Sequence, residues 1–454
     1  MSILNIGLTG LKSTQTALEV TSNNIANSAT AGYKQSDAEF ASVYNGGQQG
    51  GVKVTDIKED FVTGGEIVRT GNSLDITIDG QGFFAITENG KTAYTQAGQF
   101  GLDSDLNIVN ANGSNLQGYG ISESENGGDP SIVSGILTDL KIEGANIPAK
   151  ATDGIDFNGN LSSSSDLIPY PTAPDTFDPT DGSQYNFSQS TEVFDSLGNS
   201  HIMTQYFNHT ATNEWQVMYF VDGEPLTTAE IATTGTNGTQ DVVVDGTTII
   251  AGVVTMTFDT DGQMAPLSTT LAAPIFTPPG TVADDNSVDP YNEREITLTF
   301  TASGGGAPID LTLDMVKTTQ FGTSFAMYEN DASGYTSGSF SGVTVAEDGK
   351  LYATFTNGES KLQGQVALAS FANVNGLQPG DNTVWYETDD SGTALFSEPD
   401  SGAIGKLLSG SYMGSNVDVS EQLVGLMSFQ QNYQANAKTI STADEMMQIL
   451  FSNT

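Results

Sequence analysis

Leu4, Leu11, Leu18 and Ile25 recur at every seventh position near the start of the chain, with Ile3, Leu8 and Ala26 beside them. A seven-residue apolar repeat lays one stripe along a helix and suits coiled-coil packing. The far end repeats the device. Val419, Leu426, Tyr433, Ile440 and Met447 share the same spacing, with Leu423, Ala437 and Phe451 at the second seam position. Ser415, Asn416 and Asp418 supply helix-start chemistry. The pattern predicts two helices of about 40–50 Å at 1.5 Å per residue. Neither has a domain's worth of sequence around it, so the entropy of ordering it in a single subunit is poorly offset. Pairing of the ends with each other and with neighbouring chains is the expectation. Packing on the core of their own domain is the competing reading.

Between the ends the period changes from seven to two. Residues 32–70 are Gly-rich (NGGQQGG, then Thr63-Gly64-Gly65) and read as a connector with extended pieces. Leu74–Asp79 alternates and turns at Gly80-Gln81-Gly82 into Phe83–Ile86, a strand-pair signal. Half-buried strands are predicted at Ile309/Leu311/Leu313/Met315, Ile296/Leu298/Phe300, Val254/Met256/Phe258 and Trp215/Val217/Tyr219. Asp195–Asn199 and Asp259–Gly262 read as turns between such runs. The fold class expected is mainly β with α-helical termini, in a nested multidomain architecture. Residues 1–31 and 411–454 would form a terminal helical assembly domain, and 32–70 an extended connector. Residues 71–147 with 316–410 would form a first β domain, and 148–315 an inserted acidic outer β domain. No fixed-period repeat argues for a solenoid or propeller.

Composition then narrows function. The 454 residues carry 14 Lys plus Arg against 55 Asp plus Glu, a net charge of −41. That excludes a generic nucleic-acid binder or a surface that docks on anionic lipid, since both need a basic face. Residues 148–315 alone hold about half of it, their only bases being Lys150 and Arg294. Residues 1–31 are neutral, with Lys12 and Glu19. Zero Cys excludes disulfides, Cys-ligated metals and thiol catalysis. No run approaches the roughly 18–20 apolar residues of a membrane span. The first residues lack a basic leader, an apolar region and a cleavage pattern, so no secretory signal peptide is expected.

Candidate chemistry is sparse. His201 and His209 flank the strand Ile202–Phe207, but no GxSxG nucleophile elbow accompanies them, and both read as surface or strand-edge histidines. Asp259-Thr-Asp261-Gly262 resembles half of an EF-hand loop without its remaining ligands, which favours an ordinary turn. No phosphate loop or dinucleotide fingerprint follows a strand. No catalytic residue, cofactor or metal is expected. An acidic exported adhesin or glycan hydrolase would fit the charge, but such a protein has no need of heptads at both ends.

The informative stretches are SNNIANSATAGYK (22–34), LDITIDGQGFFAI (74–86), YTQAGQFGLDSDLNIVNANGSNLQGYG (94–120), SNVDVSEQLVGLM (415–427) and NYQANAKTISTADEMM (432–447). Together they resemble the axial proteins of the bacterial flagellum, the rod, hook and hook-associated family. The N-terminal signature matches at Asn24, Ala26, Asn27, Thr30, Gly32 and Tyr33. Gln431 departs from it, since many members carry Arg there. VFDSLGN (193–199) and GDNTVW (380–385) are similar to the hook branch. The distal rod member shares the motifs but is shorter and lacks the insertion. The resemblance implies a helical homopolymer with the paired ends innermost, forming a curved, bendable tube that carries torque from rod to filament. It implies export by the flagellar type III machinery to the extracellular flagellum. It also implies contact with the distal rod protein, the hook cap and the hook–filament junction proteins.

Overall fold

Alternating runs become strands and the heptad ends become helices in a computed structural model of the chain. The structure describes residues 3–45, 48–122, 130–168, 177–227, 229–233, 240–244, 249–264, 295–301, 305–402 and 404–452. Arg294 and the side chain of Phe451 lie outside the described residues. Helix α1 spans Ile3–Ala26 and helix α2 spans Val419–Ser452. Two compact units contain everything described, residues 1–145, 340–355 and 360–454 in one, and 146–339 with 356–359 in the other.

In the first unit, strands Ser36–Asn45 and Gln48–Glu59 form a long antiparallel hairpin with two register shifts. This is the Gly-rich stretch, extended as expected but regular. Strand Phe83–Glu88 turns through Asn89 and Gly90, at φ 50° and 76°, into Lys91–Thr95. Positive φ at both turn residues gives the twist a two-residue hairpin needs. The same strand also pairs with Asn115–Ser122 and Leu368–Ser370. Its two faces feed two clusters. Phe83 meets Phe61 and Trp385 edge-on at centroid distances of 5.5 and 5.8 Å, while Phe84 meets Phe100 at 5.3 Å.

The expected pairing of Leu74–Asp79 with Phe83–Ile86 does not form. Strand Ile76–Asp79 pairs instead with Lys406–Ser409, more than 300 residues on. Gly80 and Gly82 take φ of +129° and +140°, and a Cβ on Gly80 would lie 2.8 Å from the Cα of Gly405. The segment is extended through glycine-only backbone, so it crosses from one ladder to the next rather than reversing. Strand Ile67–Arg69 likewise pairs with Ser411–Met413. The beginning and end of the chain are thus laced together on either side of everything between them.

The second unit is a two-sheet β sandwich. One sheet orders Ile231–Thr233, Glu295–Phe300, Ile309–Asp314, Gly154–Ser162 and Thr319–Phe321, with Ala326–Ala332 antiparallel to Gly154–Ser162. The other runs Phe187–Phe194, Ser200–Ala211, Glu214–Val221, Ile249–Thr257 and Gln240–Val244. Phe157, Leu298, Leu311 and Leu313 from the first pack on Phe207, Trp215, Val217 and Tyr219 from the second. Met218 and Phe220 fill a smaller cluster behind, with Phe177 and Val253. Strand Glu214–Val221 is therefore buried on both faces over most of its length, which is why Val217–Val221 run apolar without interruption. The boundary expected at 315 falls elsewhere. Thr319–Phe321 and Ala326–Ala332 both hydrogen-bond to Gly154–Ser162 and belong to this unit.

The two histidines are buried, not superficial. His201 is 4 % exposed, with Nδ1 2.6 Å from Asp222 Oδ2. His209 stacks on Trp215 at 4.7 Å, with Nδ1 3.0 Å from the Ser165 carbonyl. Both share the inward face of strand Ser200–Ala211 with Met203 and Phe207, and a turn residue partners Nδ1 of each ring while each Nε2 is buried without a hydrogen bond. The Asp259–Gly262 segment is a side-chain-capped turn, in which Asp259 Oδ1 accepts from the amides of Asp261 and Gln263 at 2.9 Å each.

Each unit contains one tryptophan, Trp385 in the first and Trp215 in the second. In a Trp385→Phe background, Trp215 alone reports the sandwich. Leu311→Ala should then lower its stability by about 2–5 kcal/mol, the usual cost of truncating a fully buried Leu. A urea midpoint by Trp215 fluorescence that does not move would refute the sandwich core.

Candidate functional site

The two helices lie antiparallel, and their contact is made by small residues rather than by the leucine stripe. A Cβ on Gly7 would lie 2.8 Å from Ile440 Cγ1, and one on Gly10 would lie 2.9 Å from Asn436 Oδ1. The buried line on α1 continues through Thr14, Ala17, Thr21 and Asn24. It has the same seven-residue period as the leucines, displaced by three positions. Thr14 and Thr21 donate to the carbonyls of Gly10 and Ala17 at 2.6 and 2.8 Å, so their hydroxyls are buried without a deficit. The hairpin crosses the same helix at Gly51 (φ +111°), where a Cβ would meet Thr9 Oγ1, and Val52 N donates to that hydroxyl at 3.4 Å.

The sequence-derived seam therefore flanks this contact. Leu4, Leu11, Leu18 and Ile25 stand half-buried along one side of α1. On α2, Leu426 and Ile440 are half-buried, while Val419, Tyr433 and Met447 are about 40 % exposed. Ile440 is the seam residue that enters the contact, against Gly7. Val424, Met427 and Met446 add further exposed apolar surface, and Ala437 and Gln431 are exposed too. Large apolar side chains were the signal followed in the sequence, and close helix approach selects against them. The Gly7/Thr14/Thr21 and Gly10/Ala17/Asn24 periodicity was the signal that could have found the contact.

The N-terminal signature works as a fastener. Asn24 is 1 % exposed and uses its amide in four directions. Nδ2 donates to the Ser36 carbonyl at 2.8 Å and to Gln422 Oε1 at 3.1 Å. Oδ1 accepts from Ser36 N at 3.0 Å and from the Tyr33 hydroxyl at 3.1 Å. Asn27 Oδ1 accepts from the Thr30 hydroxyl at 3.2 Å where the helix stops. Gly32 sits at φ +69°, donates to the Met413 carbonyl at 2.9 Å, and would place a Cβ 2.5 Å from Ala97 N. Ala26 is exposed and joins none of this.

At α2 the helix-start residues divide their work. Asp418 alone caps, with Oδ1 accepting from the amides of Ser420 and Glu421 at 2.8 and 3.2 Å. Asn416 instead holds the connector, accepting from Gln35 N at 2.7 Å and donating to the carbonyls of Asp60 and Thr63.

Family models match in the order the motifs run. Residues 4–34 match the "Flagella basal body rod protein" and 77–162 the "Flagellar hook protein FlgE/F/G D1 domain". Residues 160–335 match the "Flagellar basal body protein FlaE D2 domain" and 408–453 the "Flagellar basal body rod FlgEFG protein C-terminal". The chain is 34% identical over 446 residues to the flagellar hook protein FlgE of Escherichia coli K12, covering 98% of each. The chain belongs to the flagellar hook protein family. The hook protein FlgE of Treponema pallidum is 28% identical over 480 residues, spanning 100% of this chain and 99% of that one. A crystal structure of the Helicobacter pylori hook protein FlgE2 superposes with a TM-score of 0.48 at 11% identity, over 75% of this chain and 98% of the other.

Two charged groups beside the fastener in this hook-family chain are withdrawn from water, Lys34 fully and Glu59 in part. Glu59 is pushed up by burial and accepts from Trp385 Nε1 at 2.5 Å. Lys34 is 3 % exposed, and burial pushes it down to about 8, the Asp60 carboxylate offsetting only part. A lysine held lower in the folded state opposes folding fully below the folded value, and the penalty fades as pH rises toward the unfolded value of 10.5. Lys34→Met should therefore raise the melting temperature at pH 7 and lose most of that gain by pH 10. Tyr33, which burial raises, titrates in both proteins and cancels in the difference. A gain that is the same at both pH values would contradict this.

Proposed function

We propose that this chain is the structural subunit of the bacterial flagellar hook, polymerising through its paired terminal helices. The observation that carries the reading is the combination of an end-to-end match to hook proteins with apolar helix flanks left exposed in the single chain. The leucine stripe of α1 and the Val419/Tyr433/Met447 stripe of α2 are the surfaces assigned to neighbouring copies. Small-residue contacts hold the pair together, which frees the large apolar residues for packing between subunits. The polymer is a curved, flexible tube coupling rod to filament and transmitting torque for swimming. Its partners are further copies of itself, the distal rod protein, the hook cap and the hook–filament junction proteins. Flagellar type III export delivers it to the extracellular flagellum. Residues 148–315, with about half of the net charge, form the water-facing layer in this reading. Polar faces separate and slide at lower cost than a close-packed core, as a bending joint requires.

Leu11→Asp or Tyr433→Asp should block tube formation while both units still melt as in the parent. An unpaired charge in a buried seam costs several kcal/mol. Sedimentation and electron microscopy decide it, and long tubes from either variant would remove these stripes as the assembly surface. Salt should also lower the critical concentration. Subunits of charge −41 repel, and at 0.15 M the interaction range shrinks to about 8 Å. A critical concentration that rises with ionic strength would count against assembly of these acidic surfaces side by side.

A further inference from the structure

We propose that the cavity over Lys34 receives an acidic peptide segment of a second copy of this chain, its carboxylate meeting the buried ammonium. The inference rests on the assembly reading above. The cavity measures about 620 Å³ and lies wholly within the first unit. Its mouth is apolar, walled by Val62, Ile67, Phe371 and Val374. Val62 is 96 % exposed although the loop beneath it is ordered, with Asp60 Oδ1 accepting from the amides of Val62 and Thr63 at 2.9 and 3.1 Å. Val62 therefore adds apolar area at the mouth that an incoming segment can cover.

Two buried polar side chains line the same cavity. Lys34 Nζ has the Thr63 carbonyl at 3.3 Å and the Met413 sulfur at 3.8 Å. An ammonium carries three donors, and a thioether is a weak acceptor. Among the described residues no carboxylate stands within ion-pair distance of it; the Asp60 charge acts on it from farther away, and Asp60 Oδ1 accepts from the backbone amides of Val62 and Thr63. Gln96 is 7 % exposed. Its Nε2 donates to the Gly82 carbonyl at 2.9 Å, but its Oε1 has no partner. The floor therefore lacks one strong acceptor and one donor. A peptide carrying Asp or Glu brings both, a carboxylate for Lys34 and a backbone N–H for Gln96. A free anion brings only the first.

Charge indicates whose peptide it is. A chain with 55 acids and 14 bases repels its own copies almost everywhere, and a buried cation open to a cavity is a place where an acid-rich neighbour is attracted. The cavity also draws part of its lining from segments next in sequence to both terminal helices. Lys34 follows the signature glycine by two residues, and Met413 precedes the start of α2 by six. The remaining charges around Lys34 are Asp60, Glu59 and Asp79. Asp79 lines the cavity at its exposed rim, so it selects for a segment that enters past it rather than a carboxylate at the mouth.

The test uses full-length chains. Tubes grown from an equal mixture of 14N- and 15N-labelled protein are treated with a zero-length carbodiimide, which joins a lysine amine to a contacting carboxylate. Mass spectrometry should find cross-linked peptides containing Lys34 with one light and one heavy partner in tubes and not in monomers. Lys34→Met, which folds at least as well as the parent by the argument above, should raise the critical concentration several-fold, and Lys34→Arg should recover most of it. Well-formed tubes whose Lys34 cross-links are all within one chain, or absent, would overturn the proposal and leave the assembly reading standing. A shift of the Lys34 ammonium resonance in monomers on adding sodium acetate, without mixed cross-links in tubes, would make the cavity a small-anion site and overturn it too. Failure of the parent chain to form tubes would remove the assembly reading and this one with it.

Discussion

Two helices almost the whole chain apart touch through glycine. The approach at Gly7 and Gly10, fastened by the Asn24–Gln422 amide pair, brings residues 3–26 against 419–452. Most of what lies in between follows from that constraint. Strands Ile67–Arg69 and Ile76–Asp79 pair with Ser411–Met413 and Lys406–Ser409, so the sheets carry the same joining of the two ends. The intervening chain must therefore leave and return, and an insertion with its own core is the physical form such an excursion takes.

The fastener is polar, which suits its place. Asn24, Gln422, Asn416 and Asp418 bind backbone and one another. Hydrogen bonds fix one register, whereas a purely apolar contact would tolerate sliding. The apolar side chains are left on the flanks of both helices, where a single subunit gains little from them. That arrangement is wasteful in a monomer and reasonable in a polymer, where neighbours cover what one chain leaves open.

Charge is distributed with the same logic. The sandwich unit takes much of the acid on its surface and centres its core on apolar residues such as Trp215 and Tyr219, while its buried Asp195 is hydrogen-bonded by the backbone and side-chain amides of Asn199. The lysine at the end of the signature is less well compensated. Lys34 is buried beside Asp60 and Glu59 without a close ion pair, so the first unit carries an electrostatic cost that the single chain does not relieve.

Local periodicity settled much of this protein. The seven-residue repeats became helices, the alternating runs at Ile296, Ile309 and Val254 became strands, and the Asp195 and Asp259 segments became turns, because the spacing of apolar side chains separates a helical period from a strand period and Asp–Gly clusters mark turns. The signature at Asn24–Tyr33 was also legible, as a helix stop and a turn. Three things were decided only by tertiary structure. Ile76–Asp79 pairs with a distant strand because the glycines after it let the chain cross a ladder instead of folding back. His201 and His209 are buried because strand Ser200–Ala211 turns them inward toward partners contributed by other turns. The helix contact runs along small residues beside the leucines because two backbones can approach closely only where side chains are absent. A single chain reports which residues are apolar and how often they recur. Which of two equally periodic stripes faces a partner depends on the shape of that partner, and its contribution comes from more than 400 residues away.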